Sequence, residues 1–198
     1  MSFEQASPEI ALVFANTWGN RADPSTDRLR GYADVLQWAL DSGAIEEGEH
    51  RQLVSMSERR PGESETVLNE AVELREAIFS LCTDAARSVP PKHGDLETLN
   101  RWLEVLPTAR LCAGDRCCVW RRANVPPDLR TPLLAAAASA ADLLTSDSID
   151  RLRECAAPDC SWLFLDWSRG GRRRWCDMST CGNRAKARRY YERHRGNT

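Results

Sequence analysis

The sequence predicts a mainly α fold: a helical N-terminal domain with one β-hairpin, followed by a small module of β-hairpin plus C-terminal helix. Three observations carry this. Apolar residues recur at helical spacing through residues 1–105. Gly114-Asp115 separates two short runs containing Leu111, Cys112, Val119 and Trp120, a hairpin signal. Four of the eight cysteines stand as Cys155-x4-Cys160-x15-Cys176-x4-Cys181 near the end of the 198-residue chain.

Ile10, Leu12, Val13, Phe14 and Trp18 predict a first helix ending near Gly19. Thr26 or Asp27 can cap a second, whose Leu29, Tyr32, Ala33, Leu36 and Leu40 share a face before Gly43 stops it. A third covers Glu46 to Ser57, and Pro61-Gly62 breaks the pattern. A long helix follows from Glu63 to Ser88, with Val67, Leu68, Ala71, Leu74, Ile78 and Leu81 as its stripe. Pro90-Pro91 ends it, and a shorter helix spans Asp95 to Leu106. After the hairpin at 108–122, an Ala-rich helix runs from Leu133 to Leu144 and a short one from Ser148 to Arg153. Trp162 to Leu165 reads as a strand, Gly170-Gly171 as a turn, Arg172 to Trp175 as the returning strand, and Ala185 to Arg195 as a helix.

The charge divides the chain at residue 150. Residues 151–198 hold twelve Lys and Arg against five Asp and Glu, a net of +7, whereas residues 1–150 carry −9. The overall −2 hides this split. A basic module beside an acidic body commonly seeks nucleic acid. No apolar run exceeds the six residues of Leu133 to Ala138, far below the ~18 of a membrane crossing. Met1 to Gln5 lacks the basic-then-apolar order of a signal peptide, so a cytoplasmic protein is expected.

In that compartment eight cysteines point to metal before disulfides. Two close pairs joined by a spacer suit tetrahedral Zn²⁺, each pair clasping one edge of the tetrahedron. Four thiolates close the coordination sphere, so the expected cofactor is one structural zinc on Cys155, Cys160, Cys176 and Cys181. A module of roughly 45 residues has too little core to fold unaided, and structural zinc supplies on the order of 10–16 kcal/mol. The alternative is four reduced cysteines placed for packing. Cys112 and Cys117 would face each other across the hairpin, with Cys118 adjacent, as small residues in β structure or as a second redox or metal site.

On the last helix Arg184, Arg188 and Arg195 form one stripe, and Lys186, Arg189 and Arg193 another nearly opposite. With Arg172, Arg173, Arg174 and Asn183 they are the candidate nucleic-acid contacts; a solvated cationic helix, or one docked on the acidic body, is the alternative. Asn183 serves equally as a helix cap. His50, His93 and His194 are isolated in sequence, and no acid–base pair is recognisable, so no catalytic site is expected.

The run Cys160-Ser161-Trp162-Leu163-Phe164-Leu165-Asp166, with Arg173-Arg174-Trp175-Cys176-Asp177-Met178 and Cys181-Gly182-Asn183-Arg184-Ala185-Lys186, resembles the CGNR zinc finger family. The body, through Val13-Phe14-Ala15-Asn16-Thr17, Leu74-Arg75-Glu76-Ala77 and Leu99-Asn100, resembles the ABATE domain that accompanies that finger. The resemblance implies a bacterial, stress-linked transcriptional regulator, with zinc on the four cysteines and duplex DNA as partner. RNA is the alternative polymer. The body is then a sensory or dimerisation domain; family-like positions Asn16, Trp18, Arg75 and Asn100 mark a candidate effector pocket or, for the two asparagines, core caps.

Overall fold

The computed structural model describes residues 8–107, 109–113, 118–122 and 128–195. Seven α-helices and two small antiparallel hairpins follow in chain order among these residues. The helices are α1 (Pro8–Ala15), α2 (Tyr32–Asp41), α3 (Glu47–Arg59), α4 (Pro61–Ala86) and α5 (His93–Glu104). Strands β1 (Ala109–Ala113) and β2 (Cys118–Arg122) come next, then α6 (Thr131–Thr145), β3 (Leu152–Glu154), β4 (Leu163–Leu165) and α7 (Asn183–Arg195). The expected mainly α architecture is the one observed.

The body is built around α4. Its apolar residues at helical spacing, Val67, Ala71, Leu74, Ile78 and Leu81, are all buried, and α1, α2, α3, α5 and α6 pack against it. Pro61 does not merely break the chain; it starts α4, where its missing N–H costs no helical bond. The alanines of α6 let α1 approach closely, and the Ser139 hydroxyl accepts a bond from Ala11 N–H at 2.9 Å in the core between them. Phe14 meets Trp38 with ring centroids 4.4 Å apart.

Three local expectations are corrected. The second helix begins at Tyr32, not at Thr26 or Asp27. Pro24–Thr26 is a single 3-10 turn capped by Asp23, the Asp27 carboxylate is engaged by Arg75, and Asp34 instead accepts from the Arg30 and Gly31 N–H groups. The predicted helix at 148–153 is a 3-10 turn over Asp147–Arg151 that gives way to β3. The second hairpin pairs β4 with β3, Leu152 facing Leu165, not with Arg172 to Trp175.

In the first hairpin Cys112 faces Val119 and Ala113 faces Cys118, so the register does not set Cys117 opposite Cys112. Cys117 and residues 114–116 lie outside the described residues. Among the described residues no helix is long and apolar enough to cross a membrane.

The body and the second hairpin share one apolar core. Leu152, Leu163 and Leu165 are buried with the helices of the body, whereas Phe164, Cys155, Ala157 and Cys181 form a separate small cluster on the other face. The alternation of strand side chains makes this division. Leu163 and Leu165 point one way, Phe164 the other.

Candidate metal centre

Cys155 follows β3 and Cys160 precedes β4, so the first cysteine pair sits in the loop of the short hairpin. Cys155 N–H donates to Trp162 O at 2.8 Å, extending the ladder by one step, and Cys160 N–H closes a turn on Ala157 O at 3.1 Å. Backbone N–H groups two residues on, those of Ala157 and Trp162, donate to the sulfurs of Cys155 and Cys160 respectively. Both halves of the loop therefore aim a thiol inward and stabilise its ionised form.

The second pair is brought in by a loop, not a strand. Asp166 accepts from Ser168 N–H at 2.9 Å and from Arg173 N–H at 2.8 Å, which folds residues 166–173 on themselves. Gly171 makes the reversal with a φ of +58°, a backbone region that glycine enters without steric cost. A single bond from Ala156 N–H to Arg174 O, 2.8 Å, ties the returning chain to the first loop. The Arg173 guanidinium donates to the carbonyls of Trp175 and Cys176. Asp177 then caps the wide turn Met178–Gly182, accepting from Thr180 N–H at 2.9 Å, and the turn runs directly into α7.

These folds place the sulfurs of Cys155, Cys160, Cys176 and Cys181 within 4.8 Å of one another. Cys160 and Cys176 are 3.8 Å apart, Cys176 and Cys181 3.6 Å. A tetrahedron with Zn–S bonds of about 2.3 Å has edges of about 3.8 Å, so the donor set fits zinc. The acid–base chemistry agrees. Burial pushes the Cys160 thiol up to about 12, its sulfur neighbours adding to the effect. Burial, the Cys181 thiol and the neighbouring sulfur charges likewise drive Cys176 upward. Cys155 moves the other way: burial opposes ionisation, but N–H donors from Cys176 and Ala157 outweigh it. Burial thus disfavours the thiolates of Cys160 and Cys176 in the absence of a cation, and Zn²⁺ held by the four sulfurs would supply the charge that lets them ionise.

The ABATE family model, whose description reads "Putative stress-induced transcription regulator", matches residues 9–147, most of the chain. The chain belongs to the ABATE family. Residues 151–194 match the CGNR zinc finger, and the cysteine cluster is its single structural zinc site. Both matches are to regulatory or zinc-finger families, not to enzymes. No curated protein matches the sequence.

The CGNR helix divides its cations unequally. Arg184 and Arg188 both reach Asp159, at 3.5 and 2.7 Å, and Arg184 also donates to the Cys181 sulfur at 3.0 Å. Lys186, Arg189 and Arg193 are exposed on the opposite side, where with Tyr190 and His194 they line a groove of about 370 Å³. His194 stacks on Tyr190 at 4.1 Å. Arg172, Arg173 and Arg174 are exposed on the loop before Cys176, with Arg174 over the Trp175 ring. The Asn183 amide donates to Ser179 O at 3.0 Å, closing the wide turn.

In the ABATE body the four family-like positions separate. Asn16, buried, gives both ends of its carboxamide to Leu163 of the finger: Nδ2 donates to Leu163 O at 2.8 Å and Oδ1 accepts Leu163 N–H at 2.9 Å. Arg75 is fully buried and forms a bidentate pair with Asp27 at 2.6 and 2.8 Å, plus a bond to Glu76. The Trp18 ring is 5.3 Å from the Arg75 guanidinium and 5.7 Å from that of Arg21, and its indole N–H donates to Asp23 O. Asn100 stands exposed on α5, apart from this buried network.

Sequence reasoning missed Asp159, which shares one carboxylate oxygen between the two arginines, and Ser161, which locks the finger to the body. Ser161 N–H donates to Gly19 O at 2.9 Å and its hydroxyl accepts Arg21 N–H at 3.0 Å. An acid inside a Cys-x4-Cys loop facing a basic helix was the available signal for Asp159.

Proposed function

We propose that the chain is a DNA-binding transcription regulator in which the zinc-held finger, residues 151–198, lays the outer face of α7 along duplex DNA. The division of the helix carries this reading. Arg184 and Arg188 are engaged inside the finger, while Lys186, Arg189 and Arg193 repeat at 3–4-residue spacing on the exposed face, and Arg172 and Arg174 are exposed on the loop before Cys176. A row of that pitch can follow one phosphate strand while the tips of longer side chains enter a groove. The body, residues 1–150, holds and orients the finger. Effector reception by the body is part of the proposal too, but Asn16 and Arg75 are spent on internal bonds and serve the fold instead. Cytoplasmic location follows from the same reading.

Binding to duplex DNA by the zinc-loaded full chain, followed by fluorescence anisotropy against salt, tests it. Five phosphate contacts give a log–log slope of about −4.5. Replacing Lys186, Arg189 and Arg193 by Ala flattens the slope by about 2.7. A metal-loaded, folded protein that binds no duplex at low salt refutes the proposal.

RNA is the second reading, favoured by Tyr190 and Tyr191, which are 59% and 68% exposed beside the cationic row, a setting in which aromatic rings stack on unpaired bases. Competition between duplex DNA and single-stranded RNA separates the two, and Tyr191→Ala weakens RNA alone.

A further inference from the structure

We infer that the arginine of the Cys-Gly-Asn-Arg motif, Arg184, is a positioning residue of the zinc centre and not a nucleic-acid contact, and that Asp159 holds it there. Three contacts around the motif converge. The Arg184 Nη2 lies 3.0 Å from the Cys181 sulfur. Its Nε lies 3.5 Å from Asp159 Oδ2, an oxygen that also accepts the Arg188 guanidinium at 2.7 Å. Cys155 and Cys160 receive their N–H···S bonds from backbone amides, so a side chain does for Cys181 what the main chain does for them.

The chemistry gives the arrangement a purpose. Zinc with four thiolates carries a net charge of −2, and part of that charge rests on each sulfur. A guanidinium against one sulfur offsets it, draws electron density from the thiolate and fixes the sulfur's direction toward the metal. Arginine suits this better than lysine, because its planar fork serves the sulfur and the carboxylate at once. Arg184 and Arg188 are one helical turn apart, so a single carboxylate in the Cys155–Cys160 loop captures both and sets the rotation of α7 about its axis. That rotation turns Lys186, Arg189 and Arg193 outward. The inner row belongs to the metal, the outer row to the partner.

The test uses zinc-loaded full-length protein and needs no nucleic acid. The rate of zinc release to a chromophoric chelator is compared for wild type, Arg184→Gln, Arg184→Lys, Asp159→Asn and the outer-face control Arg193→Gln. Loss of an outer-shell partner typically costs 10–100-fold in metal affinity. Release from Arg184→Gln is expected to rise at least tenfold, from Asp159→Asn by less, and Arg184→Lys to recover part of the loss. Arg193→Gln is expected to release zinc like wild type. After substitution with Co²⁺, the sulfur-to-metal charge-transfer band of Arg184→Gln shifts in energy while its intensity still reports four thiolates. A general loosening of the helix would not produce that pattern. Unchanged release and an unmoved band in Arg184→Gln overturn the inference, as does an equal acceleration in Arg193→Gln. Failure of the DNA reading would leave all of these measurements untouched.

Discussion

Asn16→Ala probes the joint between body and finger. In an antiparallel pair, residues alternate between exchanging backbone bonds with the partner strand and turning them outward. Cys155 N–H bonds Trp162 O, so Leu163, one residue on, directs its N–H and C=O away from β3. Those groups are 2.9 and 2.8 Å from the Asn16 carboxamide, and Leu163 is 1% exposed. Asn16 thus acts as a one-residue third strand. Truncation removes two hydrogen bonds and strands one donor and one acceptor, each at a cost of about 1–3 kcal/mol. We expect a loss of about 2–4 kcal/mol, or roughly 6–12 °C in melting temperature for a chain of this size. Circular dichroism at 222 nm and tryptophan fluorescence, followed together through a urea titration, measure it. Asn16→Asp is worse at neutral pH, because a carboxylate offers Leu163 O no donor. Its folded pKa is then raised, so the lost stability returns as pH falls through that value. A loss below about 1 kcal/mol for Asn16→Ala would refute the edge-strand account.

Removing zinc with a strong chelator, or Cys176→Ser, is expected to lower the melting temperature of the whole chain and not only to unravel α7, since Leu152, Leu163 and Leu165 lie in the body core; differential scanning calorimetry checks this, and an unchanged main transition would contradict it. Asp27→Asn leaves the fully buried Arg75 without its bidentate partner and costs about 3 kcal/mol, read from urea unfolding. In the wild type, burial resists ionisation of Asp27, but Arg75 and the Leu29 N–H hold its carboxyl below the usual range. A depressed folded pKa contributes stability that is present above about pH 4 and lost as pH falls through the folded value. Asp27→Asn abolishes that acid-side slope, and a mutant melting curve with the same pH dependence as wild type would sink the assignment.

Much of this was legible in the sequence because it depends on spacing. Helical repeats gave α3 to α6 within a few residues, and two Cys-x4-Cys pairs gave the metal site. What escaped depends on competition for the same group. Asp27 has the composition of a helix cap, yet a buried guanidinium 48 residues away claims both its oxygens. Arg172 to Trp175 has the length of a strand, yet Asp166 draws Arg173 into a loop and leaves β4 to pair with three residues preceding Cys155. Asn16 was readable as a ligand contact or a core cap. Its true partner is a backbone 147 residues on, and no local pattern encodes that distance. Periodicity also placed Arg184 and Lys186 on opposite faces correctly, but could not say which face looks inward.

The leucines that β3 and β4 bury against the helices make the finger a poor candidate for transplantation. Fused alone to an unrelated carrier, the last forty-eight residues would present a greasy flank and an open strand edge even with their metal in place, a surface that invites aggregation. Engineering that wishes to borrow the basic helix would have to repaint that flank with polar side chains, and supply a substitute for the asparagine that caps its edge.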